Sequence, residues 1–174
     1  MKNIVLVGFM GTGKSVVGRN LAKAMNLCHL DTDAEIEMQV GQSVAEIFSR
    51  DGEAYFRTLE AQMVDRVACL SAYVISTGGG MPLCHMERLR EIGLCIALMA
   101  LPETVIQRTR KRPKARPMLE GGDTPATIRR LMAEREPYYR RAHILLETGD
   151  QAVGEIVRRI QEEVSAFEAE TYSR

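Results

Sequence analysis

Residues 8–15 read GFMGTGKS, set between the apolar run IVLV (4–7) and the segment VVGRNLAKAM (16–25). Three glycines in six positions give up helix and strand propensity together, so the chain turns there with its backbone bare. GxxxxGK followed by Ser, between a strand and a helix, has one dominant physical reading. Backbone N–H groups around Gly8, Gly11 and Gly13 curl about phosphate oxygens, and the helix start adds its partial positive charge. Lys14 then supplies a compact charge to the β- and γ-phosphates of a nucleotide, and the Ser15 hydroxyl supplies a ligand for Mg²⁺. The plainer reading is a glycine-rich turn that happens to precede a helix. The strand and helix on either side weigh against it.

Four further apolar runs have the look of buried strands: CHL (28–30), YVIS (73–76), CIALMA (95–100) and ILLE (144–147). The segments between them carry helical spacing. Val17, Leu21 and Met25 share one face of the first helix, and Phe56, Leu59, Met63 and Val67 recur at steps of three and four within 53–70. Segments 125–141 and 152–168 are also helical in pattern, with Pro125 near a helix start. Strands alternating with helices predict an α/β fold built on a parallel sheet covered on both faces. Ligands of such sheets bind beyond the carboxyl ends of the strands, so the residues just after each run carry the functional information.

After CHL comes DTDAEIE (31–37). Asp31 and Asp33 fall at the ligand-binding rim, where an acid holds the water shell of a metal or accepts a proton from an attacking hydroxyl. Either one also suits the N-cap of a helix beginning near Ala34. After YVIS, where a P-loop hydrolase usually presents a metal-binding acid, the chain reads Thr77-Gly78-Gly79-Gly80. Packing alone does not account for three consecutive glycines, and a small ligand lying on bare backbone does; a flexible hinge is the alternative. Arg57 has Glu53 four residues before it and Glu60 three after, which fits an exposed helical ion pair. Arg135 precedes Pro137 and fits a helix C-terminus. Arg116 closes the basic run RTRKRPKAR (108–116), a solvated linker, a nucleic-acid patch or a lid over phosphates.

Composition narrows the field. The 174 residues suit one domain, spanning 1–174. Lys+Arg and Asp+Glu are both 23, so the formal charge is zero, against a generic polyanion binder. No aromatic residue interrupts the basic run, against a single-strand nucleic-acid module. The N-terminal apolar run is too short for a signal peptide or a membrane span. Cys28, Cys69, Cys84 and Cys95 form no CxxC pair and are expected to be reduced, mostly buried thiols of a cytoplasmic protein. No surplus apolar stripe is evident, so a monomer is expected.

Taken together, GFMGTGKS, DTD, GEAYFRTLE, GGG, RPML and REPYYR resemble the motif set of the shikimate kinases, small P-loop kinases of the nucleoside monophosphate kinase-like group. They come in that family's order, with similar spacing, and span nearly the whole chain. The resemblance implies a three-layer P-loop kinase fold with a five-stranded parallel sheet flanked by helices, a substrate-binding helical segment at about 33–62 and a mobile lid at about 110–124. It implies Mg²⁺-dependent transfer of the γ-phosphoryl group of ATP to the 3-hydroxyl of shikimate, on the route to chorismate and aromatic amino acids. The implied partners are shikimate and ATP, with neither nucleic acid nor membrane.

Carried over by position, the resemblance puts Gly11, Thr12, Gly13, Lys14, Ser15 and Val16 on ATP, with Ser15 on Mg²⁺ directly and Asp31 through water. Asp33 would meet the acceptor hydroxyl as base or positioner. Arg57 and Arg135 would grip the carboxylate, where guanidinium geometry suits bidentate binding. Gly79 would offer its N–H, and Phe48, Phe56 and Val44 would wall the ring. Arg116 would reach the phosphates from the lid, joining Lys14 and Asp33 as a catalytic group. The sequence departs from the family pattern in three places. The Arg108-to-Arg116 interval is one residue longer than usual, Met118 replaces a more usual leucine, and His143 stands where an acid is more common. The competing expectations are a gluconate- or nucleotide-type kinase on the same scaffold and a nucleotide-binding regulator without catalysis. Retention of Lys14, Asp33 and Arg116 argues against the regulator.

Overall fold

Successive side chains of the first strand, β1 (Asn3–Val7), point to opposite faces of a sheet, and all five residues are buried. Ile4 and Leu6 enter one core cluster, Val5 and Val7 the other. The computed structural model describes residues 2–110 and 124–172. After β1 the described elements are α1 (Lys14–Met25), β2 (Cys28–Asp31), α2 (Thr32–Val40), α3 (Val44–Arg50), α4 (Gly52–Ala68), β3 (Tyr73–Ser76), α5 (Met81–Ile92), β4 (Gly93–Met99), α6 (Pro102–Arg110), α7 (Pro125–Tyr139), β5 (Ile144–Glu147) and α8 (Val153–Tyr172). The first core layer joins the sheet to α1 and α8 through Val17, Leu21, Ile156 and Ile160. The second joins it to α2 through α7 by way of Ile36, Ile47, Met63, Leu89, Val105 and Ile128. Helices cover both faces, as expected.

The sheet has five strands in the order β2-β3-β1-β4-β5, and every pairing is parallel. From β1 the chain first builds one side of the sheet, β2 and β3, and then crosses to build the other, β4 and β5. That reversal opens a crevice at the carboxyl end of β1, the switch point where ligands of such sheets lie. All five apolar runs read from the sequence are strands here. Helices α1, α4, α7 and α8 lie where their spacing placed them, and α7 starts at Pro125 with the Thr124 side chain as its cap. Helices α3, α5 and α6 were not foreseen. The first is a single short element closed by a Ser43–Glu46 capping box, and α5 is interrupted at His85, whose φ of −123° lies outside the helical range.

Two expectations change: β2 and β5, read as buried strands, lie at the two edges of the sheet, with only Leu30 and Leu146 buried in them, and the cysteines are not mostly buried. Three of the cysteines, Cys28, Cys69 and Cys84, are exposed, and Cys95 alone is buried. Cys28 starts an edge strand and Cys69 caps the end of α4, positions where no second layer covers the thiol. His143, the departure from the usual acid, extends the β4–β5 ladder: its N–H donates to the Cys95 carbonyl at 2.9 Å, and its Nδ1 accepts from the Cys95 N–H at 3.0 Å. Among the described residues, no helix is long and apolar enough to cross a membrane. Arg116 and most of the expected lid lie outside the described residues.

The start of β4 passes so close to β1 that a Cβ on Gly93 would stand 2.6 Å from the Asn3 carbonyl carbon. Backbone cannot yield as a flexible side chain can, so Gly93→Ala should cost about 1–3 kcal/mol by overpacking. Gly154→Ala, where nothing lies within 4 Å, should be neutral or stabilising by up to about 1 kcal/mol. Urea unfolding of the two variants beside the parent measures both.

Candidate active site

A cavity of about 640 Å³ opens at the switch point, and the loop after β1 forms its floor. Gly8, Gly11 and Gly13 take φ values of 140°, 78° and 102°, which side-chain-bearing residues rarely adopt. Space adds to the requirement at Gly8, where a Cβ would lie 2.5 Å from the Leu98 carbonyl oxygen of β4. The loop curls around Lys14, whose Nζ donates to the carbonyls of Gly8 at 2.8 Å and Phe9 at 2.9 Å. Ser76 Oγ, at the end of β3, donates to the Lys14 carbonyl at 3.1 Å. The first turn of α1 is therefore tied to the neighbouring strand.

The two acids differ. Asp31 caps α2, its Oδ1 accepting from the N–H groups of Asp33 and Ala34 at 3.2 and 3.4 Å. Asp33 is half-buried, and its enclosed Oδ1 has no hydrogen-bond partner. Desolvation, then the charges of Asp31 and Glu60, push its carboxyl up to about 7, with Lys14 opposing them.

The three glycines after β3 have a steric cause. A Cβ on Gly78 would collide with the Asp33 carboxylate, and one on Gly80 would stand 2.5 Å from Arg57 Nη1. One on Gly79 would lie 3.3 Å from the Met10 nitrogen. Packing does account for them, contrary to the expectation from sequence, because what packs there is charged side chain and phosphate-loop backbone. The segment is no loose hinge: the Gly78 N–H donates to Thr32 Oγ1 at 2.9 Å, and the Gly79 carbonyl accepts from the Tyr139 hydroxyl at 2.7 Å.

Arg57 does pair with Glu53, at 2.6 Å, and with Glu60, yet the pair is not the exposed one its spacing suggested. Glu60 is only 1% exposed, and burial raises its carboxyl while the Arg57 charge opposes the rise. Arg135 is 7% exposed, in place of the helix-end role its position before Pro137 suggested. Its guanidinium carbon stands 5.6 Å from the centre of the Phe9 ring, and its enclosed Nη1 has no partner.

Gly11, Thr12, Gly13, Lys14, Ser15, Val16, Asp31, Asp33, Val44, Gly79 and Arg135 all line the one cavity. Arg57 stands behind Gly80 rather than in that lining. Phe48 and Phe56 pack on each other, ring centres 4.8 Å apart, and are not among the lining residues either. Arg108 does line it: Nη2 donates to the Gly149 carbonyl at 2.6 Å, and Nη1 reaches the Gly11 and Thr12 carbonyls at 3.4 Å. In the sequence it stood as the first member of a basic run and as the start of the lengthened Arg108-to-Arg116 interval; its partners were not legible there, since the fold alone brings 149 beside 11.

The shikimate kinase family model matches residues 10–165. The chain belongs to the shikimate kinase family. A shikimate kinase of Pelotomaculum thermopropionicum is 48% identical over 168 residues, covering 93% of this chain and 97% of that protein. One from Caldanaerobacter subterraneus is 44% identical over 162 residues, covering 92% and 94%. Among solved structures, the Acinetobacter baumannii shikimate kinase in complex with shikimate superposes with a TM-score of 0.90, at 36% identity, over 95% of this chain and 94% of its own. Family membership excludes the gluconate- and nucleotide-type alternatives, and the chain is an ATP-dependent small-molecule kinase.

The Asp33 carboxyl has a consequence for stability without ligands. Folded, it keeps its proton up to about pH 7; unfolded, it releases it near its ordinary value of 3.8. Between those values the folded state binds the extra proton, so stability falls as pH rises through the window, by no more than about 1.4 kcal/mol per pH unit. Asp33→Asn should therefore melt above the parent at pH 8 in EDTA, and the advantage should shrink towards pH 4. Scanning calorimetry at several pH values checks this.

Proposed function

We propose that this cavity transfers the γ-phosphoryl group of ATP to the 3-hydroxyl of shikimate, giving 3-phosphoshikimate and ADP. The acceptor oxygen bonds to the γ-phosphorus, the bond from that phosphorus to the bridging β,γ-oxygen breaks, and the hydroxyl proton passes to Asp33. The observation that carries this reading is a pair of enclosed, unpartnered polar atoms of opposite character, Arg135 Nη1 and Asp33 Oδ1, on residues that line the same cavity as the phosphate loop. Buried polar groups in native proteins find partners, and a hydroxy acid supplies both: a carboxylate for the guanidinium and a hydroxyl for the carboxylate.

Residues 11–16 cradle the triphosphate. The Lys14 ammonium exchanges its carbonyl partners for phosphate oxygens, where a preorganised charge is worth most as negative charge shifts in the transition state. The donors present fit Mg²⁺, which is held by one or two hard oxygens together with phosphates and water: Ser15 and Asp31 line the cavity, and both capping bonds to Asp31 fall on Oδ1 alone. Bound there, Mg²⁺ would neutralise charge on the β- and γ-oxygens. Arg57, steadied by Glu53 and Glu60, joins Arg135 at the acceptor carboxylate; Gly79 offers backbone to the same molecule, and Val44, Phe48 and Phe56 wall its ring. The reading also assigns a phosphate contact to Arg116, which lies outside the described residues. The protein works as a cytoplasmic monomer.

Given MgATP, it should phosphorylate shikimate far faster than gluconate or nucleoside monophosphates in a coupled ADP-release assay. Lys14→Met should abolish turnover while its circular dichroism spectrum stays that of the parent. Equal rates across the acceptor panel would overturn the assignment. Arg57→Ala should raise the KM for shikimate by roughly 30-fold or more, as expected for a lost buried charge partner. A KM unchanged in that variant would confine Arg57 to its helical ion pairs.

A further inference from the structure

Tyr139 makes a bond that none of these roles uses. It ends α7 one turn after Arg135, so the two side chains leave the helix on the same face. Its ring is 2% exposed, within the core cluster that also holds Phe9 and Met81. The phenol O–H donates to the Gly79 carbonyl at 2.7 Å, across sixty residues of chain. Burial pushes the phenol up to about 12, with the Arg135 charge opposing, so the hydroxyl keeps its proton and remains a donor at any ordinary working pH.

Resting on the acceptor site described above, we propose that Tyr139 is a positioning residue for acceptor binding, acting through the peptide between Gly79 and Gly80. In a planar trans peptide the carbonyl and the following N–H point in opposite directions. Drawing the Gly79 carbonyl toward Tyr139 therefore turns the Gly80 N–H the other way, and both glycines line the cavity. Glycine's wide conformational freedom makes such a peptide easy to rotate; the phosphate-loop backbone, 3.3 Å from where a Gly79 Cβ would be, and the Arg57 guanidinium at Gly80 bound the space but do not set which way the carbonyl points. The Tyr139 hydroxyl sets that direction. Because Arg135 is carried by the same helical turn, the bond also holds the base of that side chain, whose guanidinium stands over Phe9, at a set distance from the glycine backbone. One rigid spacing, between a cation and backbone donors, is what selects a compact carboxylate-bearing polyol.

Tyr139→Phe removes the hydroxyl and leaves the ring. The KM for shikimate should rise by roughly tenfold, as for a buried carbonyl left without its donor, while kcat and the KM for ATP change less than about threefold. The variant should discriminate less sharply against a tetrahydroxy analogue without the carboxylate: the ratio of the analogue's KM to that of shikimate should shrink. A shikimate KM unaltered by Tyr139→Phe, a parallel rise in both KM values, or a variant that fails to fold would each overturn the proposal, because a purely structural tyrosine gives those results. Arg135→Ala, measured beside it, separates the two levels of inference. If Arg135→Ala raises the shikimate KM and Tyr139→Phe does not, the positioning role fails and the acceptor site stands; if Arg135→Ala leaves that KM unchanged, the acceptor site itself is misplaced.

Discussion

Gly78, Gly79 and Gly80 are pressed by three different neighbours: the Asp33 carboxylate, the phosphate-loop backbone and the Arg57 guanidinium. A side chain at any of the three would force one of those groups away. The bare backbone lets an acid from α2, an arginine from α4 and the loop after β1 converge on the end of β3, and Tyr139 of α7 closes the arrangement from the far side. The sheet supplies the platform, since β1 and β3 pair in parallel and end together. The glycines set how closely the chemistry can approach it.

Charge is distributed over this platform in opposed pairs. Asp33 is driven toward its neutral form by burial and by the acids around it, and Lys14 acts against that shift. Glu60 is buried, which favours its neutral form, and Arg57 holds it toward ionisation. A buried carboxylate with only one strong partner is costly, yet it gives Arg57 a fixed anchor and spares the guanidinium the rotamer freedom of an exposed side chain. Arg135 has aromatic support, with Phe9 beneath it, and its charge also acts on Glu60 and Tyr139. Arg57 has a ring beside it too, that of Phe56 at 5.9 Å, so each guanidinium sits between an aromatic face and acidic charge.

The inner strands were legible because a sheet covered on both faces demands unbroken apolar runs, and IVLV and YVIS are little else; ILLE, at the sheet's edge, buries only Leu146. The phosphate loop was legible because its glycines serve local dihedrals, visible in the order of residues. What needed coordinates was everything set by distant approach. The cause of the three glycines lies at Asp33 and Arg57; the burial of Glu60 depends on its surroundings in the fold, and the partner of Tyr139 lies on another element. Phe48 and Phe56 were assigned to the ligand wall by the resemblance, and that they also pack on each other was not readable from residues eight apart. Helix α5 escaped notice because its apolar positions are broken by Cys84 and His85, where the backbone itself leaves the helix. Cys28, Cys69 and Cys84 were expected inside on residue type alone, and strand edge and helix end decided otherwise.

The close packing of Leu98 over Gly8 has a bearing on how the site is laid out along the chain. In chain order the phosphate loop precedes β4, whose Leu98 carbonyl roofs it. Asp33 follows the loop, then the glycine triplet, and α7 with Arg135 and Tyr139 comes only after most of the chain. The acceptor side of the site is thus spread along the chain from Asp33 onward, and it is complete only once α7 has brought Arg135 and Tyr139 to the glycine triplet.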